Sequence, residues 1–487
     1  MQNSPRNNPT QKVEHSANKL TALPLIFITA ALFMTMRNMP AMAETGMHMI
    51  FFNFITVFLF LIPAALVSAE LATGWPHNGV YGWVKAAFGP KLGFLAVWLQ
   101  WVQSIFGITS ILAYVGGSLA YVLAPQLGNN KYFIAGTIVT IYWLATVMNF
   151  KGAKRSGLIS SVALIAGVIT PTLLLIGCGA WYFLQGNPLQ INYQLTQENY
   201  LPSFTDTTGL LLFLSFVFGF VGIEVSASHA RDVVNPQRNY PIALFTAALI
   251  GFVLTLLGGL AIAVVVPAEK IDSINGAIQA FSILLKHYQL SWLIPVVAFL
   301  IAMGAAGQVS TWVVGPIKGL WAAGLEGNLP PYLQKTNRYD VPVRLLLIQA
   351  TLISVIGLLF LSSSDVNIIF LMLTSTAIVL YAMMYILMFL AAIRLRYSHP
   401  EVHRAYKIPG GRFGIWGISL TGGISIFACL LIGFIPPEPN PWGLWGFESL
   451  LISVCIVSII AAFIIINRRQ SNWIDKSQDS SLIYGEG

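Results

Sequence analysis

The chain has 487 residues, of which 56% are hydrophobic and only 9% are charged. Soluble domains carry about 25% charged residues, so this composition excludes a soluble globular protein and indicates a chain that crosses a membrane many times. Its cysteines lie in apolar runs without metal-ligand spacing, so we expect buried thiols, no metal and no cofactor. The formal net charge of +8 is explained by the predicted topology and does not indicate nucleic acid binding.

The predicted elements are apolar windows of about 18 residues or more, the length that spans a bilayer. There are twelve, at residues 22–44, 47–69, 92–122, 132–150, 158–184, 209–229, 241–267, 289–323, 344–362, 366–393, 413–435 and 445–466. An even number of crossings returns both termini to one side. Most of the 26 Lys and Arg residues fall on the same side of the membrane as the termini. The exceptions are Lys131, Lys270 and Lys286, which fall on the opposite side, and Arg37, which lies inside a span. The positive-inside rule predicts that both termini are cytoplasmic. We expect the protein to lie in the inner membrane of a bacterium.

Two of the spans are interrupted at membrane depth. The first contains "MTMRNMPAMAETG" (34–46), in which Arg37, Asn38 and Pro40 divide an apolar helix. The sixth contains "FVFGFVGIEVSASHARD" (216–232), with two glycines and the acid Glu224. Broken spans at matching places in two halves are the best sequence indication of an inverted-repeat transporter. Each break creates helix ends whose N–H groups and carbonyls can hold a carboxylate and an ammonium group.

These breaks open two sets of five spans, and because five is odd the second set is inverted relative to the first. We therefore expect an all-α integral membrane protein with a cytoplasmic N-terminal tail (1–19) and a cytoplasmic C-terminal tail (467–487). The predicted transporter core covers residues 20–396, with repeats at about 22–184 and 209–396. A loop and helices eleven and twelve occupy residues 397–466.

The segment "ELATGWPHNGVYGWVKAAFGPKLGF" (70–94) resembles the region after the second helix in the amino acid–polyamine–organocation (APC) superfamily. More narrowly, "GIEVSASHARDVVNPQRNYPIAL" (222–244), "STWVVGPIKGL" (310–320) and "YKIPGG" (406–411) are similar to its glutamate/GABA antiporter branch. The resemblance implies a 5+5 inverted repeat of the leucine-transporter type, with broken helices one and six and two further C-terminal helices.

The implied function is secondary active transport of amino acids by alternating access, not an enzymatic reaction. Antiport of an amino acid against an amine or a second amino acid is the leading mode. Proton-coupled symport and a non-transporting amino acid sensor on the same fold are the alternatives. The partners are then an amino acid, a counter-substrate or proton, and the lipid bilayer. Nothing in the sequence indicates an oligomeric state.

Arg37 and Asn38 are the candidate substrate-binding residues of the first break. A charged side chain at membrane depth is costly unless it is paired or hydrated, and it therefore indicates function. Arg37 either binds a substrate carboxylate through its two-pronged guanidinium or forms an ion pair with Glu224, unless it merely snorkels to the membrane surface. The two roles are compatible if substrate competes for the pair.

The second break supplies Phe220, Gly222 and Glu224. On the resemblance, Phe220 closes the substrate site on one side, while the simpler interpretation is a ring that fills apolar space. Gly222 belongs to the unwound backbone of the site. We expect Glu224 to act as a structural or proton-linked acid rather than as a direct ligand.

Two later spans add aromatic residues with polar groups. Gln308 and Trp312 are four residues apart, as are Tyr381 and Tyr385, so each pair shares a helical face. Such side chains suit a small amphiphilic ligand, although packing explains them as well. The antiporter branch is expected to carry an acid in place of Gln308 and an aromatic residue in place of Arg37. These departures predict an anionic or neutral substrate rather than a polyamine, with Arg37 determining specificity.

Overall fold

The computed structural model describes residues 21–76, 79–150, 161–203, 207–226, 233–363, 365–436 and 443–474. The predicted N-terminal tail and the part of the C-terminal tail after residue 474 lie outside these residues. Within the described residues, the regular secondary structure is helical. This agrees with the all-α fold predicted from hydropathy.

Fifteen helices are used in the description that follows. They are α1 (Ala22–Phe33), α2 (Met39–Glu44), α3 (His48–Gly74), α4 (Gly79–Phe88), α5 (Pro90–Leu123), α6 (Lys131–Asn149), α7 (Ser161–Leu184), α8 (Thr207–Phe218), α9 (Pro236–Val265), α10 (Gly276–His287), α11 (Ile294–Ala323), α12 (Val343–Gly357), α13 (Val366–Ser398), α14 (Gly411–Ile432) and α15 (Gly443–Asn467). Among the described residues, 11 helices are long and apolar enough to span a membrane. The interrupted pair α1–α2 adds the first of the twelve predicted crossings.

Helix α5 lies at the centre of the bundle. It is 34 residues long, buried along most of its length, and packs against α11 and α13. Outer helices such as α14 and α15 instead leave large apolar side chains exposed, as expected for surfaces that face lipid. The polar residues of α5 therefore point into the protein interior, where they position the candidate site.

Side-chain contacts group the helix ends into two faces. At one, which we call the basic face, the Glu70 carboxylate near the end of α3 accepts a hydrogen bond from Arg396 at the end of α13 (2.5 Å). The Ile408 amide donates to the same carboxylate (2.8 Å), and Arg404 lies 3.4 Å from it. The cluster joins α3 to α13 and to the segment before α14.

The opposite face is joined by a second polar network. Asn275, just before α10, donates to Asp272 (3.1 Å) and to Asn129, just before α6 (3.2 Å). Asn367, at the start of α13, donates to the other Asp272 oxygen (3.4 Å). Helix ends that the hydropathy pattern assigns to one side thus meet one another in the structure.

The Glu70 cluster leads to a stability prediction. Glu70→Gln leaves Arg396 and Arg404 without their anion, and because Glu70 is only 2% exposed we expect a loss of about 3–5 kcal/mol in unfolding free energy. Glu326→Gln is the control, since the Lys85–Glu326 pair is partly exposed and such pairs contribute about 0–1 kcal/mol. Thermal unfolding of both variants in one detergent gives the comparison. Equal losses of stability in the two variants would show that the buried Glu70 cluster stabilises the protein no more than the Lys85–Glu326 pair does.

Candidate functional site

The first break lies between α1 and α2. Helix α1 ends at Phe33, the next residue is extended, and the chain turns through Arg37 and Asn38 before α2 begins. Pro40 lies in the first turn of α2, where its fixed φ suits a helix and its missing N–H costs nothing. Both Arg37 and Asn38 are 3% exposed. The break therefore places a cation and an amide inside the protein.

The second break follows α8, which ends at Phe218. A turn covers residues 219–222, and a single helical turn at 223–226 follows. Gly222 has φ +102°, and a Cβ at this position would lie 2.7 Å from the Trp312 ring. Its amide donates to the Tyr385 hydroxyl (3.2 Å). Only glycine meets both the backbone conformation and the close approach.

Arg37 has no anionic partner among the described residues. Its guanidinium donates to the Ser110 hydroxyl of α5 and lies over the Phe218 ring, 4.5 Å from the ring centre. The Nε atom is buried without a hydrogen-bond partner. The Phe370 ring centre lies 5.8 Å from the guanidinium. A buried charge compensated only by a hydroxyl and two rings is costly, so the site lacks an anion.

The Glu224 carboxylate is held by other groups. The Tyr381 and Tyr385 hydroxyls donate to it, as does Gln100 of α5 (3.1 Å). Gln100 and Ser110 are ten residues apart on one helix, which corresponds to about 15 Å along its axis. The ion pair between Arg37 and Glu224, one of the two sequence-based alternatives, is therefore not formed in this conformation.

The remaining predicted residues contact the end of α1 or one another near the two breaks. Trp312 donates to the Leu32 carbonyl at the end of α1 (2.9 Å), and Gln308 lies 3.5 Å from the same oxygen. The Trp312 and Tyr381 rings are 6.2 Å apart. Phe220 packs instead against Phe33, with ring centres 6.1 Å apart. The structure thus brings the predicted aromatic residues together around the breaks.

A cavity of about 30 Å³ lies between the two breaks. Of the predicted residues, Arg37, Gln308 and Trp312 line it, whereas Asn38, Phe220, Gly222, Tyr381 and Tyr385 do not. The volume is enough for one or two water molecules. An amino acid needs more room, so in this conformation the site is closed.

Three polar lining residues were not predicted from the sequence, namely Thr35 of the first break and Gln103 and Ser104 of α5. The available signal was their polarity within an apolar span. Three lining side chains have a buried polar atom without a hydrogen-bond partner, namely Arg37 (Nε), Gln103 (Nε2) and Gln308 (Oε1). Two donors and one acceptor without partners thus belong to residues that line one small cavity. No group of three His, Cys, Asp or Glu side chains that could hold a metal occurs in the described part of the chain.

The chain is similar to known transporters over almost its whole length. The family model described as amino acid permease matches residues 20–454. An uncharacterized transporter of Legionella pneumophila is 37% identical over 92% of this chain and 96% of its own length. A glutamate/gamma-aminobutyrate antiporter of Lactococcus lactis is 34% identical over 92% of this chain and 90% of its own.

A more distant relative is named a probable agmatine/putrescine antiporter, also from Lactococcus lactis. It is 24% identical over 96% of this chain and 98% of its own length. The two Lactococcus lactis relatives are thus named as an antiporter and a probable antiporter, and all three names describe transport rather than an enzymatic reaction. This chain belongs to the amino acid permease family of the APC superfamily and is a multi-pass membrane transporter of the secondary active type.

Proposed function

We propose that the cavity between the two breaks is the central substrate site and that an amino acid carboxylate binds there to Arg37. The observation that carries the proposal is the buried charge of Arg37, which has no ion-pair partner among the described residues and lines the cavity together with Gln103. The Arg37 Nε and the Gln103 amide nitrogen both lack a hydrogen-bond partner. Charge-assisted hydrogen bonds from these donors would compensate both groups. Gln308 offers the free acceptor that an ammonium group requires.

The charge balance of the cavity favours an anionic or neutral amino acid over a polyamine. Among the described residues that line it, Arg37 is the only charged one, so a second cation on the substrate would be repelled without compensation. The named relatives exchange substrates, and we propose that this chain likewise exchanges an amino acid for an amine or for a second amino acid. Its substrate and counter-substrate then occupy the same site in turn.

We further propose that the Glu224 network closes the path between the cavity and the basic face. It joins α5, the second break and α13 through Gln100, Tyr381 and Tyr385. Opening toward that face must separate at least one of these groups. Proton-coupled symport is the second candidate mode, favoured by the burial of Glu224 at 1% exposure, because its carboxylate could carry a proton when the network opens.

The proposed orientation places the basic face in the cytoplasm of a bacterial cell. It is supported by the clustering of Lys and Arg at helix ends that meet one another on that face. Both termini are then cytoplasmic, and the proposed repeats, residues 22–184 and 209–396, have opposite orientations in the inner membrane.

Exchange by purified protein in liposomes tests this function. We expect uptake of labelled glutamate or a neutral amino acid to require an unlabelled amino acid or amine inside the vesicles. Uptake into empty vesicles driven by a pH gradient alone would support symport instead. Absence of uptake at every pH from about 4 to 8, with and without internal counter-substrate, would contradict both modes. Vesicles without protein provide the background.

A further inference from the structure

A second, larger cavity lies outside the substrate site, at the basic face. It has a volume of about 580 Å³ and is lined by residues of α5, α11, α12 and α15, by residues of the 329–333 segment between α11 and α12, and by the segment that follows α15. This groove opens on the outside of the bundle, where Ile348 of α12 is 38% exposed and Ile464 of α15 is 48% exposed. Since both are apolar residues of membrane-spanning helices, the groove faces the lipid.

The walls of the groove are apolar and rich in tryptophan. Trp98 and Trp101 of α5 form one side, and Trp473 lies near the rim. Tryptophan is enriched at the level of the lipid headgroups in membrane proteins. The groove therefore spans the boundary between the hydrocarbon and the headgroup region, where a water-soluble ligand would leave its apolar walls uncovered.

Two hydrogen-bond donors in the groove lack partners. The Trp98 indole N–H is buried without an acceptor, and Trp and Tyr groups of this kind normally find one. The Arg468 side chain makes no hydrogen bond or ion pair within the described residues, whereas the adjacent Arg469 donates to the Glu326 carbonyl (2.8 Å). No acidic residue occurs among the described residues that line the groove.

We propose that this groove is a binding site for an anionic phospholipid of the leaflet at the basic face, which is the cytoplasmic leaflet in the orientation proposed above. One acyl chain lies against Trp98, Trp101 and the exposed isoleucines. The phosphate binds Arg468, whose side chain has no other hydrogen-bond partner within the described residues. Basic pockets between membrane helices are the usual sites for such headgroups, and apolar walls without an acid exclude a cationic partner.

The site also connects to the substrate pathway through α5. Gln100, which donates to Glu224 (3.1 Å), lies between Trp98 and Trp101 on this helix. A lipid that fills the groove therefore packs against the part of α5 that carries Gln100 and so takes part in the Glu224 network. The bound lipid is expected to stabilise the conformation described here.

Quenching of tryptophan fluorescence tests the proposal. Full-length protein in detergent micelles is titrated with phosphatidylglycerol brominated on its acyl chains, and with brominated phosphatidylcholine at equal mole fraction. We expect saturable quenching that is at least about tenfold stronger with phosphatidylglycerol. Arg468→Gln should weaken the apparent affinity for phosphatidylglycerol by about tenfold, as expected for loss of a charge-assisted hydrogen bond.

Arg412→Gln is the matched control, because Arg412 lies at the start of α14 on the same face and stacks on Tyr397 away from the groove. The control should bind like the unmodified protein. Equal quenching by the two lipids, or equal weakening by Arg412→Gln and Arg468→Gln, would overturn the proposal. Quenching that develops only in a variant ending at Ile474 would assign the groove to the chain's own C-terminal segment. The readout is lipid binding, so its failure is distinct from failure of the transport proposal.

Discussion

Arg37→Met should strongly reduce amino acid exchange while the protein stays folded. The guanidinium provides the positive charge in the cavity, and loss of a charge-assisted contact with a carboxylate lowers transport efficiency by about 10- to 100-fold. Its removal should not lower the unfolding temperature, because an uncompensated buried charge destabilises the protein. Exchange in liposomes and thermal unfolding in detergent are the two measurements.

Arg37→Lys provides the matched comparison. Lysine keeps the charge but loses the Nε donor and the fixed fork that suits a carboxylate, so we expect weakened exchange between that of the unmodified protein and that of Arg37→Met. If Arg37→Met exchanges substrate normally, Arg37 does not bind the carboxylate. If it unfolds, the residue acts mainly in structure, through Ser110 and Phe218.

Gly222→Ala should reduce exchange at least about tenfold and also lower stability. Alanine at φ +102° is strained, and its methyl group would lie 2.7 Å from the Trp312 ring. The strain alone costs about 1–3 kcal/mol. Relieving the contact must move Trp312 away from the Leu32 carbonyl, to which it donates across the cavity wall (2.9 Å). The same exchange and unfolding measurements apply.

The control for this substitution is Gly177→Ala in α7. A Cβ at Gly177 would have no heavy atom within 4 Å, and alanine is favoured over glycine inside a helix by about 1 kcal/mol. We expect this variant to be as stable as the unmodified protein, or more so, and to retain full exchange. Normal exchange by Gly222→Ala would mean that the second break tolerates a side chain and that the Trp312 contact has no role in transport.

The crossings, their order and the position of both breaks could be predicted from the amino-acid sequence. Apolar windows report span length directly, because a bilayer core about 30 Å thick fixes the number of residues that must be apolar. Pro40 and Gly222 are local signals that favour an interruption, although Pro241 and Pro316 lie inside continuous helices, α9 and α11. The family was likewise recognisable from short motifs such as residues 70–94, because these segments retain their residue pattern.

Which side chains contact one another depends on the tertiary structure and could not be predicted from the sequence. Arg37 contacts Ser110, 73 residues away, and Tyr385 donates to Glu224 across 161 residues. The sequence left open whether Arg37 pairs with Glu224, and it did not single out Gln103. Helical periodicity identifies which residues share a face but not which helix that face meets. That depends on how α5, α8 and α13 cross, and in this fold their crossing separates the cation from the acid by about three turns of α5.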